Sequence, residues 1–237
     1  MSLENALAAR IRRLRKAFGT RLVFDAFELD VARGERVAIL GASGCGKSTL
    51  LRCIAGLERP DDGTIVTAAE IGIVFQEPRL FPWLDVRQNV AFAARTDAER
   101  ARVDRVLALV GMVHAAQLMP KALSGGMAQR AALARSLVRD PALLLLDEPF
   151  AALDALRRIE LRAAVSEILD FTRASAILVT HDVDDALVLA DRVLVLAGSP
   201  AEVVFSARTT DTAVRADVLA ALGVVEHGTR SRRSALR

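Results

Sequence analysis

The chain has 237 residues, of which 52% are hydrophobic, and its formal net charge is +3. This length predicts one compact domain, or one domain with a subdomain, around an aliphatic core. The apolar stretches are far shorter than the roughly 18 residues that a membrane-spanning helix needs. Residues 1–18 also lack the apolar segment of a signal peptide, so we expect an intracellular protein.

The net charge is located at the end of the chain. Residues 206–237 carry six arginines against three acidic residues, an excess equal to the net charge of the whole chain. The remainder is balanced, so no basic face for nucleic acid is predicted. We expect the tail arginines to solvate a loose terminus, with contact to anionic lipid headgroups as the alternative.

Residues 37–49 predict a strand, a glycine-rich loop and the start of a helix. The loop fits the pattern G-x-x-x-x-G-K-S/T, whose glycines let backbone N–H groups close around phosphate oxygens. Lys47 supplies positive charge at the β- and γ-phosphates, and Ser48 offers a hydroxyl to Mg²⁺. A glycine turn without a ligand is the alternative, which the complete pattern disfavours. The predicted binding residues are Gly41, Ala42, Ser43, Gly44, Cys45, Gly46, Lys47, Ser48 and Thr49.

Short apolar runs bounded by Gly, Pro or Asp alternate with helical stretches, which is typical of a parallel sheet buried on both faces. The predicted strands are 37–40, 71–75, 143–147, 176–180 and 192–196. The predicted helices are 49–57, 98–110, 124–138, 154–171 and 211–222, the last capped by Asp211 or Thr212. Residues 76–139 contain no convincing strand and are predicted as a helical insert. Cys45 and Cys53, in and just after the phosphate loop, are predicted to be reduced thiols.

Two further motifs follow the phosphate loop. Asp147 and Glu148 end an aliphatic strand, where Asp147 can hold Mg²⁺ through water and Glu148 can polarise an attacking water. Ser124, Gly125 and Gly126 open a helix 23 residues before Asp147 and predict a second anion site. Alone, the acidic pair is a common helix start, and Ser-Gly-Gly is a common loop. Their spacing to the phosphate loop and to each other favours the functional interpretation of both. Two phosphate cradles in one chain predict a dimer in which each cradle serves the partner's nucleotide.

Together these motifs resemble the nucleotide-binding subunit of an ATP-binding cassette (ABC) transporter, over roughly residues 10–205. The sequence 123–126, Leu-Ser-Gly-Gly, is similar to the signature motif of that family. The resemblance implies an α/β fold: a phosphate-loop NTPase (RecA-like) core with a mainly parallel sheet, an antiparallel β subdomain and an α-helical signature-motif subdomain. It implies an ATPase domain over residues 1–205, with the helical subdomain at about 77–139. Residues 206–237 would form a short helix and the basic tail.

The resemblance gives four single residues a function. Phe18 lies where the family places an aromatic ring that stacks on adenine, with a core position as the alternative. Gln76 resembles the glutamine that touches Mg²⁺ and water and relays motion to the membrane partner. Asp154 resembles the loop that crosses the dimer interface, although alone it reads as a helix cap. His181 resembles the switch histidine at the γ-phosphate. His114 and His227 match no motif and are expected to be structural or exposed.

Met127 departs from the glutamine common after the two glycines. Methionine there, residues 76–84 and residues 147–156 resemble the subfamily that serves importers of nitrate, aliphatic sulfonates and taurine. The resemblance implies ATP and Mg²⁺ as cofactors, a head-to-tail homodimer, integral membrane permease subunits and a solute-binding protein. It places the chain peripherally at the cytoplasmic face of the inner membrane. Residues 78–92, which include Trp83, are predicted to line a groove for a permease helix, with packing inside the helical insert as the alternative.

Two other functions share some of these motifs. An exporter subunit also couples ATP to a separate permease, but Met127 and residues 76–84 favour import. A soluble ABC protein that acts on DNA or ribosomes usually has two cassettes or a long coiled-coil insertion, and this chain has neither. A kinase or GTPase is excluded by the Ser-Gly-Gly motif together with His181.

Overall fold

The backbone forms two sheets with helices around them. The computed structural model describes residues 6–67, 70–151 and 153–223. The elements are β1 Leu7–Phe18, β2 Arg21–Ala32, β3 Arg36–Gly41, α1 Lys47–Ile54, β4 Asp62–Thr67, β5 Ile71–Val74, α2 Val86–Phe92, α3 Asp97–Arg100, α4 Val103–Leu109, α5 Gly125–Leu137, β6 Leu143–Asp147, α6 Ala155–Thr172, β7 Ser175–Val179, α7 Val183–Leu189, β8 Arg192–Ala197, β9 Glu202–Arg208 and α8 Val214–Ala221.

The larger sheet has six strands in the order β5-β6-β7-β3-β8-β9. Neighbouring strands from β5 to β8 run parallel, and β9 pairs antiparallel with β8 at one edge. Every residue of β6 and β7 is buried, because helices cover both faces of a parallel sheet. The five predicted strands are the five parallel strands, with ends that differ by at most one residue. The mainly parallel α/β core is therefore confirmed.

The smaller sheet is antiparallel, in the order β2-β1-β4. It is the antiparallel part that the family resemblance implied, but the hydrophobic pattern did not locate its strands. The pairing of β1 with β2 has several register shifts, and Arg13 and Ala26 have positive φ angles of 48° and 54°. Such bulges interrupt the alternation of apolar and polar residues on which strand prediction depends.

The helical insert between β5 and β6 differs from the prediction. The single helix predicted over 98–110 is wrong: α3 and α4 are separate, with a turn at residues 101–102. Helix α2 was not predicted at all. Both α2 and α3 begin with capping boxes, Asp85 with Gln88 and Thr96 with Glu99. These four-residue signatures are visible in the sequence and could have located both helix starts.

The C-terminal part also differs in detail. Strand β9 was not predicted, and it runs through residue 205, so the predicted domain boundary falls inside a strand of the main sheet. Helix α8 begins at Val214, with Ala213 at the N-cap position instead of Asp211 or Thr212. The basic tail from residue 224 and His227 lie outside the described residues. Within the described ranges, no helix combines the length and apolar content needed to cross a bilayer.

Candidate functional site

The phosphate loop connects β3 to α1, and its glycines are required by close packing. A Cβ atom on Gly41 would lie 2.5 Å from the backbone oxygen of Leu196, and one on Gly46 would lie 2.5 Å from Val23 Cγ1. Gly46 also has a φ of 111°, which favours glycine. The loop therefore fits between β8 and β2 only without side chains at these two positions.

Lys47, the first residue of α1, is buried inside this loop. Its Nζ donates hydrogen bonds to the backbone oxygens of Gly41 at 2.8 Å and Ala42 at 3.0 Å. Only 5% of the residue is exposed. The loop thus holds one positive charge next to the N-terminus of α1, where the helix dipole also favours an anion.

Ser48 and Asp147 form a pair of neighbouring oxygens. Ser48 Oγ donates a hydrogen bond to Asp147 Oδ1 at 2.9 Å, which joins the start of α1 to the end of β6. Burial raises the pKa of the Asp147 carboxyl, and the hydrogen bond from Ser48 lowers it in part. A hydroxyl and a carboxylate side by side are the oxygen donors that Mg²⁺ prefers, so these two residues fit a magnesium ion.

Glu148 and His181 form a second polar pair. The Nδ1 atom of His181 lies 3.1 Å from Glu148 Oε2, within hydrogen-bond distance. Glu148 has a φ of 45°, and its backbone N–H donates to the oxygen of Val179 at 2.9 Å. A left-handed conformation is costly for a residue with a side chain, and its occurrence after β6 marks a position where the direction of the carboxylate matters.

One cleft of about 580 Å³ brings half of the predicted site residues together. Its lining includes Phe18, whose residue surface is 49% exposed, together with the phosphate loop and Glu148. An aromatic ring and a phosphate loop in one cleft suit a ligand with an aromatic base and a phosphate chain. The lining residues are Phe18, Arg21, Val23, Ser43, Gly44, Gly46, Lys47, Ser48, Thr49, Gln76 and Glu148.

Some predicted residues lie elsewhere or were missed. Ala42 and Cys45 line a separate cleft of about 280 Å³ on the side of α8. Arg21, which the sequence analysis missed, donates from Nη2 to the backbone oxygen of Gly44 at 2.5 Å and lines the nucleotide-sized cleft. No sequence pattern marks it. Both cysteines are free, as predicted, and burial raises the pKa of Cys53 to about 11.

Ser124 and Asp154 are not among the residues that line this cleft in the described part of the chain. Ser124 Oγ accepts a hydrogen bond from the N–H of Met127 at 3.3 Å and caps α5, and Asp154 caps α6. A Cβ atom on Gly125 would lie 3.5 Å from a methyl group of Leu153, so the two helix starts are neighbours. We call the residues 124–126 and 154 the second surface.

The helix that begins at this second surface is tied to the segment after β5. Gln129 of α5 is buried, and its Nε2 donates to the backbone oxygen of Phe75 at 3.2 Å. Arg135 of the same helix donates to the backbone oxygen of Pro78 at 2.8 Å. Gln76 lies between these two anchored positions and lines the cleft. Two side chains of α5 are thus hydrogen-bonded to the backbone on either side of Gln76.

A buried charged cluster, missed by the sequence analysis, supports the turn of His181. Asp185 is fully buried, and its carboxylate accepts a hydrogen bond from Arg158 Nη2 at 2.7 Å. Arg162 lies 3.4 Å away and Thr180 Oγ1 also 3.4 Å away from this carboxylate. Because Arg158 and Arg162 belong to α6, the cluster joins that helix to the turn between β7 and α7.

Residues 78–92 are divided between core and surface. Val86, inside the stretch predicted to line the permease groove, is fully buried and cannot line it, whereas Trp83 and Phe92 are 69% and 65% exposed. The ring of Phe81 lies 5.6 Å from that of Trp83 and 4.5 Å from that of Phe92. We call these three rings the aromatic surface; two of them, Phe81 and Phe92, line a cleft of about 430 Å³ next to β5. His114 is exposed, as expected.

Comparison with known proteins gives a consistent result. The sequence profile described as "ABC transporter" matches residues 24–151. Among curated proteins, the chain is similar to aliphatic sulfonates import ATP-binding protein SsuB 3 of Paraburkholderia xenovorans, with 51% identity over 92% of this chain and 89% of that protein. A protein of the same name series, SsuB 2 of Paracoccus denitrificans, is 52% identical over 82% of this chain and 80% of that protein.

Solved structures show the same fold. The structure of cbiO1 from Clostridium perfringens, part of the ABC transporter complex cbiONQ, has 28% identity and a TM-score of 0.78, over 91% of this chain and 94% of that one. A dimeric ATP-binding cassette in a post-hydrolysis state with ADP and phosphate has 26% identity and a TM-score of 0.74, over 86% and 99% of the two chains.

Proposed function

Because the chain belongs to the ABC transporter family, we propose that this ATPase is the ATP-hydrolysing subunit of an importer of small molecules, chiefly anions. The observation that carries the hydrolytic function is the single cleft that joins Phe18, the phosphate loop and Glu148. Aliphatic sulfonates are the proposed substrate class, because two proteins that match this chain over most of their length are named as aliphatic sulfonate import proteins. Nitrate and taurine are the alternatives within the subfamily resemblance.

ATP is proposed to lie along the cleft. Phe18 stacks on adenine, since it lines the same cleft as the phosphate loop and is half exposed. Backbone N–H groups of residues 41–49 surround the phosphates, and the α1 dipole favours their negative charge. Lys47, now bonded to two carbonyl oxygens of its own loop, supplies the cation at the β- and γ-phosphates.

Mg²⁺ is proposed to be held by Ser48, Asp147 and Gln76. The fit rests on the adjacent oxygens of Ser48 and Asp147 and on the position of Gln76 in the same cleft. When bound, the ion neutralises charge on the phosphate oxygens during phosphoryl transfer. Asp147 must be ionised for this role, so its burial sets a lower limit on the pH at which the ion binds well.

Glu148 is the proposed base that orients the attacking water and receives its proton. The strained backbone of Glu148 directs the carboxylate toward the cleft, and His181 fixes one of its oxygens. His181 is also the proposed sensor of the γ-phosphate. Because phosphoryl transfer needs orientation and charge neutralisation more than covalent chemistry, these residues account for the step together with Lys47.

The second surface is proposed to complete the site of the partner subunit in a head-to-tail homodimer. Ser124, Gly125 and Gly126 lie at a helix N-terminus that suits an anion, yet they do not line the cleft of their own chain. A two-fold dimer would place this surface, with Asp154, over the nucleotide of the partner subunit. Each ATP would then be part of the interface, and its hydrolysis would release the dimer.

The aromatic surface is proposed to bind a short helix of the integral membrane permease subunits. Large exposed aromatic rings beside a cleft are typical of binding sites for a protein partner. The segment joins Gln76 to α2, so the permease contact and the nucleotide site are neighbours in the chain. In this arrangement the chain lies peripherally at the cytoplasmic face of the membrane, and a solute-binding protein delivers the substrate on the opposite side.

The proposal is tested by purifying tagged Glu148→Gln protein from its own cells in mild detergent with ATP and identifying the co-purifying proteins by mass spectrometry. We expect a polytopic permease and a solute-binding protein, whose binding of alkanesulfonates, taurine and nitrate is then measured by calorimetry. Recovery of ribosomal or DNA-repair proteins without a permease would contradict the transport function. A permease without a solute-binding protein would favour the exporter, which the import names of the relatives now disfavour.

A further inference from the structure

A lysine that no sequence motif singles out lies beneath the proposed adenine site. Lys16 precedes Phe18 by two residues in β1, and its side chain is only 7% exposed. Its Nζ lies over the Phe18 ring, 4.9 Å from the ring centroid. An ammonium at this distance is attracted to the π-electrons of the ring, and the attraction is stronger where water is excluded.

The ammonium is held in place by the segment that follows α1. Lys16 Nζ donates hydrogen bonds to Glu58 Oε1 at 2.6 Å and to the backbone oxygen of Arg59 at 2.9 Å. Asp61 Oδ1 is 3.6 Å away. The hydrogen bond to Glu58 raises the pKa of Lys16, so the side chain stays charged at neutral pH. Two carboxylates and a carbonyl oxygen thus fix one cation.

The same segment also fixes the backbone on both sides of Lys16. Asp61 Oδ2 accepts a hydrogen bond from the N–H of Ala17 at 2.6 Å, and the N–H of Asp61 donates to the oxygen of Arg15 at 2.9 Å. Helix α1 begins at Lys47, in the phosphate loop, and leads into this segment. The elements proposed to bind the base and the phosphates are therefore joined by one ionic cluster around a buried ammonium.

We propose that Lys16 is a positioning residue that holds the Phe18 ring for the purine base of the nucleotide. The cation covers part of one face of the ring, and the half-exposed ring keeps another face for stacking. A ring that is already fixed loses less freedom when the base binds, which increases affinity without a direct contact between Lys16 and ATP. The inference rests on the proposed role of Phe18 in the nucleotide site.

The test compares two ligands that differ in the base. Dissociation constants of the full-length chain are measured by calorimetry for ATP and for inorganic tripolyphosphate, with Mg²⁺ and at constant salt. We expect Lys16→Met to weaken ATP binding about fivefold and to leave tripolyphosphate binding within about twofold. Lys16→Arg keeps a cation that stacks on aromatic rings, and it should recover most of the ATP affinity. Arg15→Met is the matched control, because Arg15 is an exposed neighbouring cation paired with Asp25 at 3.8 Å.

Phe18→Ala and the double variant separate the inference from the function on which it rests. If Lys16 acts through the ring, Lys16→Met has no further effect on ATP affinity once Phe18 is alanine, and the two losses are not additive. Equal weakening of ATP and tripolyphosphate by Lys16→Met, additive losses, or no loss at all would overturn the positioning role. Unchanged ATP affinity in Phe18→Ala would instead remove the base site itself, and the inference with it.

Discussion

The nucleotide cleft and the second surface are both built from helix starts and strand ends, but they differ in how their polar groups are paired. In the cleft, functional groups bond across elements: Ser48 to Asp147 and Glu148 to His181. At the second surface, Ser124 and Asp154 bond to N–H groups of the helices that they cap. The cleft is therefore arranged by contacts between elements of one chain, whereas the polar side chains of the second surface bond to their own helices. The proposed head-to-tail dimer would give the second surface its contacts across elements.

Glu148→Gln should abolish hydrolysis in the cleft and leave the second surface unchanged. The amide cannot accept the proton of water, and loss of a general base typically costs about 1,000-fold in rate. We expect ATP binding to persist and a closed dimer to accumulate, measured by phosphate release, calorimetry and gel filtration. Glu77→Gln, at an exposed carboxylate that follows Gln76 in the chain, is the control. Turnover near that of the unaltered chain would exclude Glu148 as the base.

Asp185→Asn should weaken the support that lies behind both regions. Asp185 is fully buried between Arg158, Arg162 and Thr180, and disturbing a buried ion network costs about 3 kcal/mol. The expected result is a lower free energy of unfolding in urea. The ATPase rate should fall as well, because the cluster supports the turn that carries His181. Asp184→Asn, in the half-exposed pair with Arg215, should cost less than about 1 kcal/mol. Equal losses of unfolding free energy in the two variants would show that the buried cluster contributes no more stability than an exposed ion pair.

Gly126→Asp should prevent the second surface from binding the partner's nucleotide and leave ATP binding in the cleft unchanged. A Cβ atom at Gly126 meets no other atom within 4 Å, and a carboxylate in the first turn of α5 suits the helix dipole, so the single chain should fold normally. Facing the phosphates of a nucleotide on the partner subunit, the same charge is repelled, and we expect ATPase activity to fall about 30-fold. ATP affinity of the dilute monomer should not change. Gly126→Ala is the uncharged control, and full activity of the aspartate variant would contradict the head-to-tail dimer.

Trp83→Ala should leave both regions intact and affect only the permease. Trp83 is 69% exposed, and exposed tryptophans at an interface often account for much of the binding energy, so permease affinity should fall about tenfold. ATP binding and the unfolding midpoint of the chain should not change. Val113→Ala removes an equally exposed apolar side chain of the same subdomain and serves as the control. A loss of ATP affinity in the Trp83 variant, with unchanged permease affinity, would contradict the assignment of this residue to the permease contact.

Strands were located best where their residue pattern is regular. The parallel strands were predicted almost to the residue, because strands such as β6 are continuous aliphatic runs between turn residues. Strand β1 was not, because its charged residues and bulges hide its buried positions. Lys16 illustrates this limit: a lysine in a basic stretch reads as exposed, whereas Glu58 and Asp61 make its burial favourable.

The sequence by itself determined the ligand class and the family, because a phosphate cradle needs fixed residue types at fixed short spacing along one loop. The phosphate loop, the residues Asp147 and Glu148, and the Ser-Gly-Gly motif are all local in this sense. Only the tertiary structure decided which groups meet. Contacts such as Glu148 with His181, Asp185 with Arg158, or Lys16 with Glu58 join residues 27 to 42 positions apart. Their geometry depends on strand order and helix packing, which no short pattern of residues specifies.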